Sequence, residues 1–193
     1  MRRSKSSYKT KETEIKLELD LDGIGDAIID TGIPFFDHML SSFATHGLLD
    51  LTVKASGDLD VDEHHIIEDV GICLGEALKK ALGDKKKIRR FGDAMIPMDE
   101  SFATCAVDLG GRAYLVFDAT FSTHKVGEMS TQLVEHFLHS LVSNANINLN
   151  IKIEGTNDHH KIEAMFKALG ISIDKATQID ERRGNVPSTK GSL

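Results

Sequence analysis

Two stretches of the sequence carry side chains able to hold metal ions. His64-His65-Ile66-Ile67-Glu68 and His159-His160-Lys161-Ile162-Glu163 share the pattern His-His-x-x-Glu. On a helix, residues four apart share a face and adjacent residues differ by about 100°. His64 and Glu68 therefore point at one ion and His65 elsewhere; His159 and Glu163 pair in the same way and His160 diverges. Each motif has one further histidine upstream, His38 and His136. Shared evenly, these side chains supply three imidazoles and one carboxylate to each of two ions. Pseudo-symmetry assigns His64, Glu68 and His160 to one ion and His65, His159 and Glu163 to the other; helical geometry leaves open which receives His38 and which His136. Four protein ligands leave two positions free on a six-coordinate ion. Imidazole and carboxylate without thiolate suit Mn, Fe, Co or Zn, whereas a structural zinc would close with four ligands.

The motifs belong to an internal repeat. Phe36-Asp37-His38-Met39-Leu40 aligns with Val134-Glu135-His136-Phe137-Leu138, and Leu51 to Gly57 aligns with Leu149 to Gly155 at the same offset of 98. The His-His pairs follow at an offset of 95, so three extra residues fall in the first copy between Gly57 and His64, where Asp58 to Glu63 reads as a loop. Leu74-Gly75 then matches Leu169-Gly170. Packing alone does not call for a histidine pair and a glutamate at the same places twice. The chain thus divides into halves at 1–92 and 93–193 that form one compact catalytic unit.

The elements that must position these groups follow from periodicity. Apolar alternation predicts strands over 14–21, 27–29, 48–55 and 147–153. Apolar faces at helical spacing predict helices over 35–45, 63–82 and 133–143, with another opening at His159. Strand-like runs over 101–109 and 113–121 flank Gly110-Gly111, a hairpin signal. Lys85 to Arg90 reads as a basic link and 182–193 as an extended polar tail. Each half then runs strand, strand, helix, strand, helix, which predicts an α+β layer fold.

Composition narrows the class. The chain has 193 residues, enough for a sizeable core, with 23 basic and 30 acidic residues and a net charge of −7. That charge argues against a nucleic-acid partner. Cys73 and Cys105 lie in apolar runs and read as reduced core residues. No apolar run is long enough for a membrane span, and the polar N-terminus lacks a secretory pattern, so a cytoplasmic location is expected.

Phe35-Phe36-Asp37-His38-Met39, both His-His-x-x-Glu motifs, Arg90-Phe91-Gly92, Val134-Glu135-His136-Phe137, Arg182-Arg183-Gly184 and Pro187-Ser188-Thr189-Lys190-Gly191 together resemble the imidazoleglycerol-phosphate dehydratase family. The likeness runs from about Thr10 to Gly191. It implies a hydro-lyase of histidine biosynthesis that converts imidazole glycerol phosphate to imidazole acetol phosphate. It implies duplicated halves, each a four-stranded sheet backed by helices, of the ribosomal protein S5 domain 2-like kind. It implies two Mn²⁺ per active site and a 24-subunit homo-oligomer with sites between subunits. By the same likeness His38, His64, Glu68 and His160 hold one ion, and His65, His136, His159 and Glu163 the other. Glu12, Arg90, Arg112, Ser188 and Lys190 would contact substrate, with Glu12 the candidate general base and the C-terminal tail binding phosphate.

The chemistry suits such a set. The proton to be removed is not next to a carbonyl. If both ring nitrogens bind cations, the ring becomes imidazolate-like, expels the neighbouring hydroxyl as a diazafulvene and acidifies the next carbon by conjugation. Lys167, four residues after Glu163, either reaches substrate or pairs with Glu163. His46 is a further candidate substrate contact, and His124 and His139 read as surface residues. Two rivals remain at this stage. A dinuclear metal-dependent phosphoester hydrolase would release inorganic phosphate, and a metal-storage scaffold would have no turnover.

Overall fold

Apolar alternation puts one face of each of two sheets onto a shared layer of helices. The computed structural model describes Arg2 to Gly191. The first half contains β1 (Arg3–Lys9), β2 (Thr13–Asp20), β3 (Ala27–Asp30), α1 (Pro34–His46), β4 (Asp50–Gly57) and α2 (His64–Leu82). The second contains β5 (Phe91–Met98), β6 (Ser101–Asp108), β7 (Tyr114–Asp118), the short pair β8 (Lys125–Val126) and β9 (Met129–Ser130), α3 (Gln132–Ala145), β10 (Asn148–Glu154) and α4 (Asp158–Thr177). The sheets have matching orders, β1-β2-β4-β3 and β5-β6-β10-β7, each with a parallel pair at the last edge. Ile15, Leu17 and Leu19 face inward from β2, and Ala103, Cys105 and Val107 from β6. Burial pushes the Cys105 thiol up to about 12, as suits an inert core residue.

The structure adds to the sequence reading and corrects it. Each half has a further strand, β1 and β5, ahead of the two expected. The basic stretch near the N-terminus is β1 rather than a polar lead-in, and β5 begins at Phe91, just after the basic link and across the 92/93 division. No hairpin spans Gly110-Gly111: β6 pairs with β5 and β10, and β7 joins the sheet by running parallel to β10. The turn at Asp99-Glu100 makes the hairpin instead, between β5 and β6. The last two residues of the expected tail lie outside the described residues.

Helix pairing crosses the halves. α2 packs on α3, and α4 packs on α1. The Leu-Gly dipeptide repeated in both halves makes this possible. A Cβ at Gly75 of α2 would lie 2.6 Å from the Leu141 carbonyl oxygen of α3, and a Cβ at Gly170 of α4 would lie 2.3 Å from the Phe43 carbonyl oxygen of α1. Only glycine permits that backbone approach. Each motif helix is thereby held against the helix carrying the other half's upstream histidine.

Candidate metal centre

Each motif helix has a side-chain acceptor two residues before its first histidine. The Asn157 side chain accepts from the His159 and His160 N–H groups at 2.9 and 3.4 Å, and Asp62 accepts from the His64 N–H at 2.8 Å. Asn157 caps α4, satisfying donors that the first turn leaves free, whereas the α2 N-cap, Glu63, makes no capping hydrogen bond. The acid just before each pair is buried and ties its helix to one segment of the second half. Glu63 accepts from the Ser130 N–H at 2.8 Å, and Asp158 accepts from Ser122 and Thr123 while pairing with Lys161 at 2.5 Å. Burial acts to raise the Asp158 pKa, but hydrogen bonds from Lys161, Thr123 and Ser122 outweigh it and hold the carboxyl well below its usual range.

On this framework three groups of three possible ligands gather among the described residues, two of them around the motif glutamates. His38, His159 and Glu163 present ligand atoms within 4.8 Å of one another, and so do His64, Glu68 and His136. His38 Nε2 is 3.5 Å and His159 Nε2 3.1 Å from Glu163 Oε2. In the other group His64 Nε2 is 3.7 Å from Glu68 Oε2, His136 Nε2 is 3.4 Å from Glu68 Oε1, and the two rings sit 4.5 Å apart. The helix-face pairing of each histidine with the glutamate four residues on is therefore present. The upstream histidines are placed otherwise than the resemblance implies: within one chain His38 joins Glu163 and His136 joins Glu68. The cause is the cross-half pairing of α1 with α4 and of α3 with α2.

The second histidine of each motif stands apart from both groups. His65 lies with Asp58 and Glu12. Its Nδ1 is 3.0 Å from Asp58 Oδ2, and its Nε2 is 3.8 Å from Glu12 Oε2. Hydrogen bonding to Asp58 raises the His65 pKa. His160 Nδ1 is 2.9 Å from Glu100 Oε2, and Glu100 raises its pKa in turn. The sharing of His160 and His65 between the motifs that pseudo-symmetry suggests is thus not made inside one chain.

The donor set fits a divalent cation. Each group combines two imidazoles with a carboxylate and no thiol, the mixture expected for a borderline first-row metal. His136 Nε2 is buried without a hydrogen-bond partner although it faces Glu68. A cation between this nitrogen and the Glu68 carboxylate, 3.4 Å away, would satisfy both.

Around the Glu163 group, Lys167 Nζ pairs with Glu163 Oε1 at 2.9 Å. Burial acts to raise the Glu163 pKa, and Lys167, His38 and His159 outweigh it, so the carboxyl stays below its usual range. The His46 pKa is lowered by partial desolvation and then by Lys167, which places the ring in the same neighbourhood. Arg90 lies elsewhere. Its guanidinium takes both Asp108 oxygens, at 2.7 and 3.1 Å, and donates to the Pro187 carbonyl at 2.9 Å. A cleft there is lined by Arg90, Arg183 and the 184–189 segment including Ser188. Arg112 is exposed on the nearby 110–112 turn, and Lys190 is exposed with its N–H on Ser188 Oγ. This cluster sits at the far end of α4, because the Arg90 N–H donates to the Ala176 carbonyl. From His159 to Ala176 the helix covers roughly 25 Å at about 1.5 Å per residue.

Sequence reasoning missed Asp58, Glu100, Glu63 and Asp158. A signal for the last two was present, since an acid stands directly before each histidine pair.

The fold and the two His/Glu groups define an α+β protein of two four-stranded sheets backed by helices, with groups of side chains that could hold metal ions. The family model for imidazoleglycerol-phosphate dehydratase matches residues 31–173. The chain is 58% identical over all 193 residues to imidazoleglycerol-phosphate dehydratase of Methanococcoides burtonii and 54% identical to that of Acetivibrio thermocellus, with 100% and 99% of those proteins covered. Among solved structures, imidazoleglycerol-phosphate dehydratase from Staphylococcus aureus superposes with a TM-score of 0.83 at 37% identity, covering 92% of this chain and 100% of that one. The Pyrococcus furiosus enzyme in complex with (S)-C348 gives 0.83 at 36%, covering 97% and 99%. The chain belongs to the imidazoleglycerol-phosphate dehydratase family. It is a lyase, a dehydratase of histidine biosynthesis in a metal-dependent family. No helix among the described residues is long and apolar enough to cross a membrane.

Proposed function

We propose that the chain dehydrates imidazole glycerol phosphate to imidazole acetol phosphate at a site holding two Mn²⁺ ions, and that its two halves, the second beginning with β5 at Phe91, act as one catalytic unit. The observation that carries this reading is the pair of three-ligand groups, each one histidine short. We assign His64, Glu68 and His136 to one ion, completed by His160 of a neighbouring copy. His38, His159 and Glu163 take the other, completed by His65 of a neighbouring copy. When bound, the ions would supply Lewis acidity to the substrate's imidazole, making it the electron-rich group that helps expel the neighbouring hydroxyl.

The chain's own groups do the rest. Glu12 travels with His65, so the copy that lends His65 also brings a carboxylate to the substrate's side chain, where it removes the carbon-bound proton. Lys167, held at Glu163, is the cation at hand for the departing hydroxyl, and His46 lines the same side. Arg90, Arg112, Ser188 and Lys190 supply a fork, a point charge and a hydroxyl for the phosphate. Their distance from His159 along α4 means that the phosphate bound by one chain belongs to a substrate whose ring is held by another.

That geometry and the exposed apolar face of the second sheet, with Phe91, Met95 and Tyr114 each more than 60% exposed, support a homo-oligomer. The 24-copy shell is its expected form, and the cytoplasm its expected location. The test is to strip metal, restore Mn²⁺ and follow ketone formation. Activity that survives complete metal removal overturns the two-ion reading. Release of inorganic phosphate in place of ketone would favour a phosphoester hydrolase.

A further inference from the structure

Glu12 and Glu100 occupy the same place in the two halves. Each directly precedes the strand, β2 or β6, whose first residue lies against the glycine after or ending the neighbouring strand: Thr13 opposite Gly57, and Ser101 against Gly155. Their surroundings differ. Glu100 Oε1 accepts from the Asn157 N–H at 2.7 Å, Ser101 Oγ at 2.9 Å and the Thr156 N–H at 3.2 Å, while Oε2 meets His160 Nδ1 at 2.9 Å. With Oε1 taken up by donors, Oε2 accepts as well, so Nδ1 of His160 donates to it, and in the neutral ring Nε2 then keeps its lone pair.

In the first half Asp58 does the corresponding work. It faces His65 Nδ1 at 3.0 and 3.2 Å. Asp58 lies in the stretch where the first half has three residues more than the second. With Nδ1 already engaged, Glu12 stands at His65 Nε2, 3.8 Å away, and is free for other work.

We propose that Asp58 and Glu100 are positioning residues that lock His65 and His160 in the Nδ1–H tautomer and present Nε2 of each for metal, and that the three-residue extension of the first half relieves Glu12 of this role. The inference rests on the assignment of His65 and His160 as ligands. Carboxylates behind metal-bound histidines orient the ring and fix its tautomer, and their loss costs about 10- to 100-fold in metal affinity.

Glu100→Gln tests it sharply. The amide oxygen must stay with the donors now held by Oε1, so the NH₂ group turns to His160 Nδ1, which must then accept. The proton moves to Nε2, and the ligand lone pair is lost. Magic-angle-spinning ¹⁵N spectra of the metal-free, histidine-labelled protein read this directly, with His160 assigned by its disappearance in His160→Gln. The expected result is an Nδ1–H signature for His160 in the wild type, an Nε2–H signature in Glu100→Gln, and Mn²⁺ affinity about 10- to 100-fold weaker at one of two sites with an unchanged melting temperature. An Nε2–H signature already present in the wild type overturns the proposal whether or not the variant folds. It is equally overturned if Glu100→Gln alters neither the spectrum nor Mn²⁺ affinity while His160→Gln loses a site. If His160→Gln keeps both ions at wild-type affinity, the ligand assignment itself falls.

Discussion

Glu68 and Glu163 hold equivalent places in the two halves, yet their neighbourhoods have opposite charge. Four residues after Glu163 stands Lys167, whose ammonium pairs with it; four residues after Glu68 stands Ile72. The residue after Glu68 is the buried Asp69, whose pKa burial pushes up while Glu68 adds to the rise; the residue after Glu163 is Ala164. The Glu163 side chain is 10% exposed and that of Glu68 37%. Duplicated ligands therefore lie in unequal fields. The Glu68 group keeps its negative charge for a cation, whereas the Glu163 group has part of its charge offset in advance. Cations at the two groups would therefore be held unequally, and Lys167 gives the Glu163 group an ammonium that the Glu68 group lacks.

The largest expected effect is loss of the groups themselves. Glu163→Ala and His65→Ala should each abolish ketone formation, and Glu68→Ala should do the same through the other ion; normal turnover in any of them removes that residue from the metal-holding set. Next come the acids that seat the two motif helices. Asp158→Ala leaves Lys161 buried without its partner and should cost about 3–5 kcal/mol in denaturant titration. Glu63→Ala, which frees one Ser130 N–H, should cost about 1–3 kcal/mol. Equal losses would dissolve that distinction between the halves.

Asp158 also carries a pH dependence. Asp158 is held below the ordinary aspartate value near 3.9, so the stability it contributes is complete above about pH 4 and drains away as pH falls through its native value. The wild type should lose melting temperature on that acid limb, and Asp158→Asn should flatten it. An unaltered acid slope would show that other carboxylates dominate.

Lys167→Ile makes the two groups alike. Removing a unit charge a few ångströms from the ion should tighten Mn²⁺ at the weaker site by on the order of tenfold while turnover falls. Titration calorimetry that finds both affinities unchanged would break the electrostatic contrast. The smallest effect is reserved for the distant phosphate cluster, where Lys190→Ala should raise KM about tenfold with kcat held. A fall in kcat alone would place Lys190 at the ring instead.

Legibility in the sequence followed burial. The span of α2 was readable because apolar residues recur at helical spacing from Ile66 to Leu82, and that whole face is buried. β1 was not, because in Arg-Ser-Lys-Ser-Ser-Tyr-Lys just Ser6 is buried and the strand is an edge held by backbone pairing with β2. β5 hides a Gly and a Pro, and its Gly92 sits so close to α4 that a Cβ would lie 1.9 Å from the Ser172 carbonyl oxygen. Gly110-Gly111 looked like a hairpin turn because local turn chemistry is blind to β10, which arrives much later in the chain and takes the place between β6 and β7.

The sequence by itself determined which side chains could hold metal, since helical spacing pairs each glutamate with the histidine four residues before it. It also settled the class of fold, through periodicity and duplication. Tertiary structure alone decided which upstream histidine meets which motif, because that depends on two backbone approaches at Gly75 and Gly170 that set each motif helix on a helix of the opposite half. It alone separated His65 and His160 from both groups and stood a carboxylate behind each ring. Such contacts join residues remote in the chain, and spacing along one helix carries no information about them.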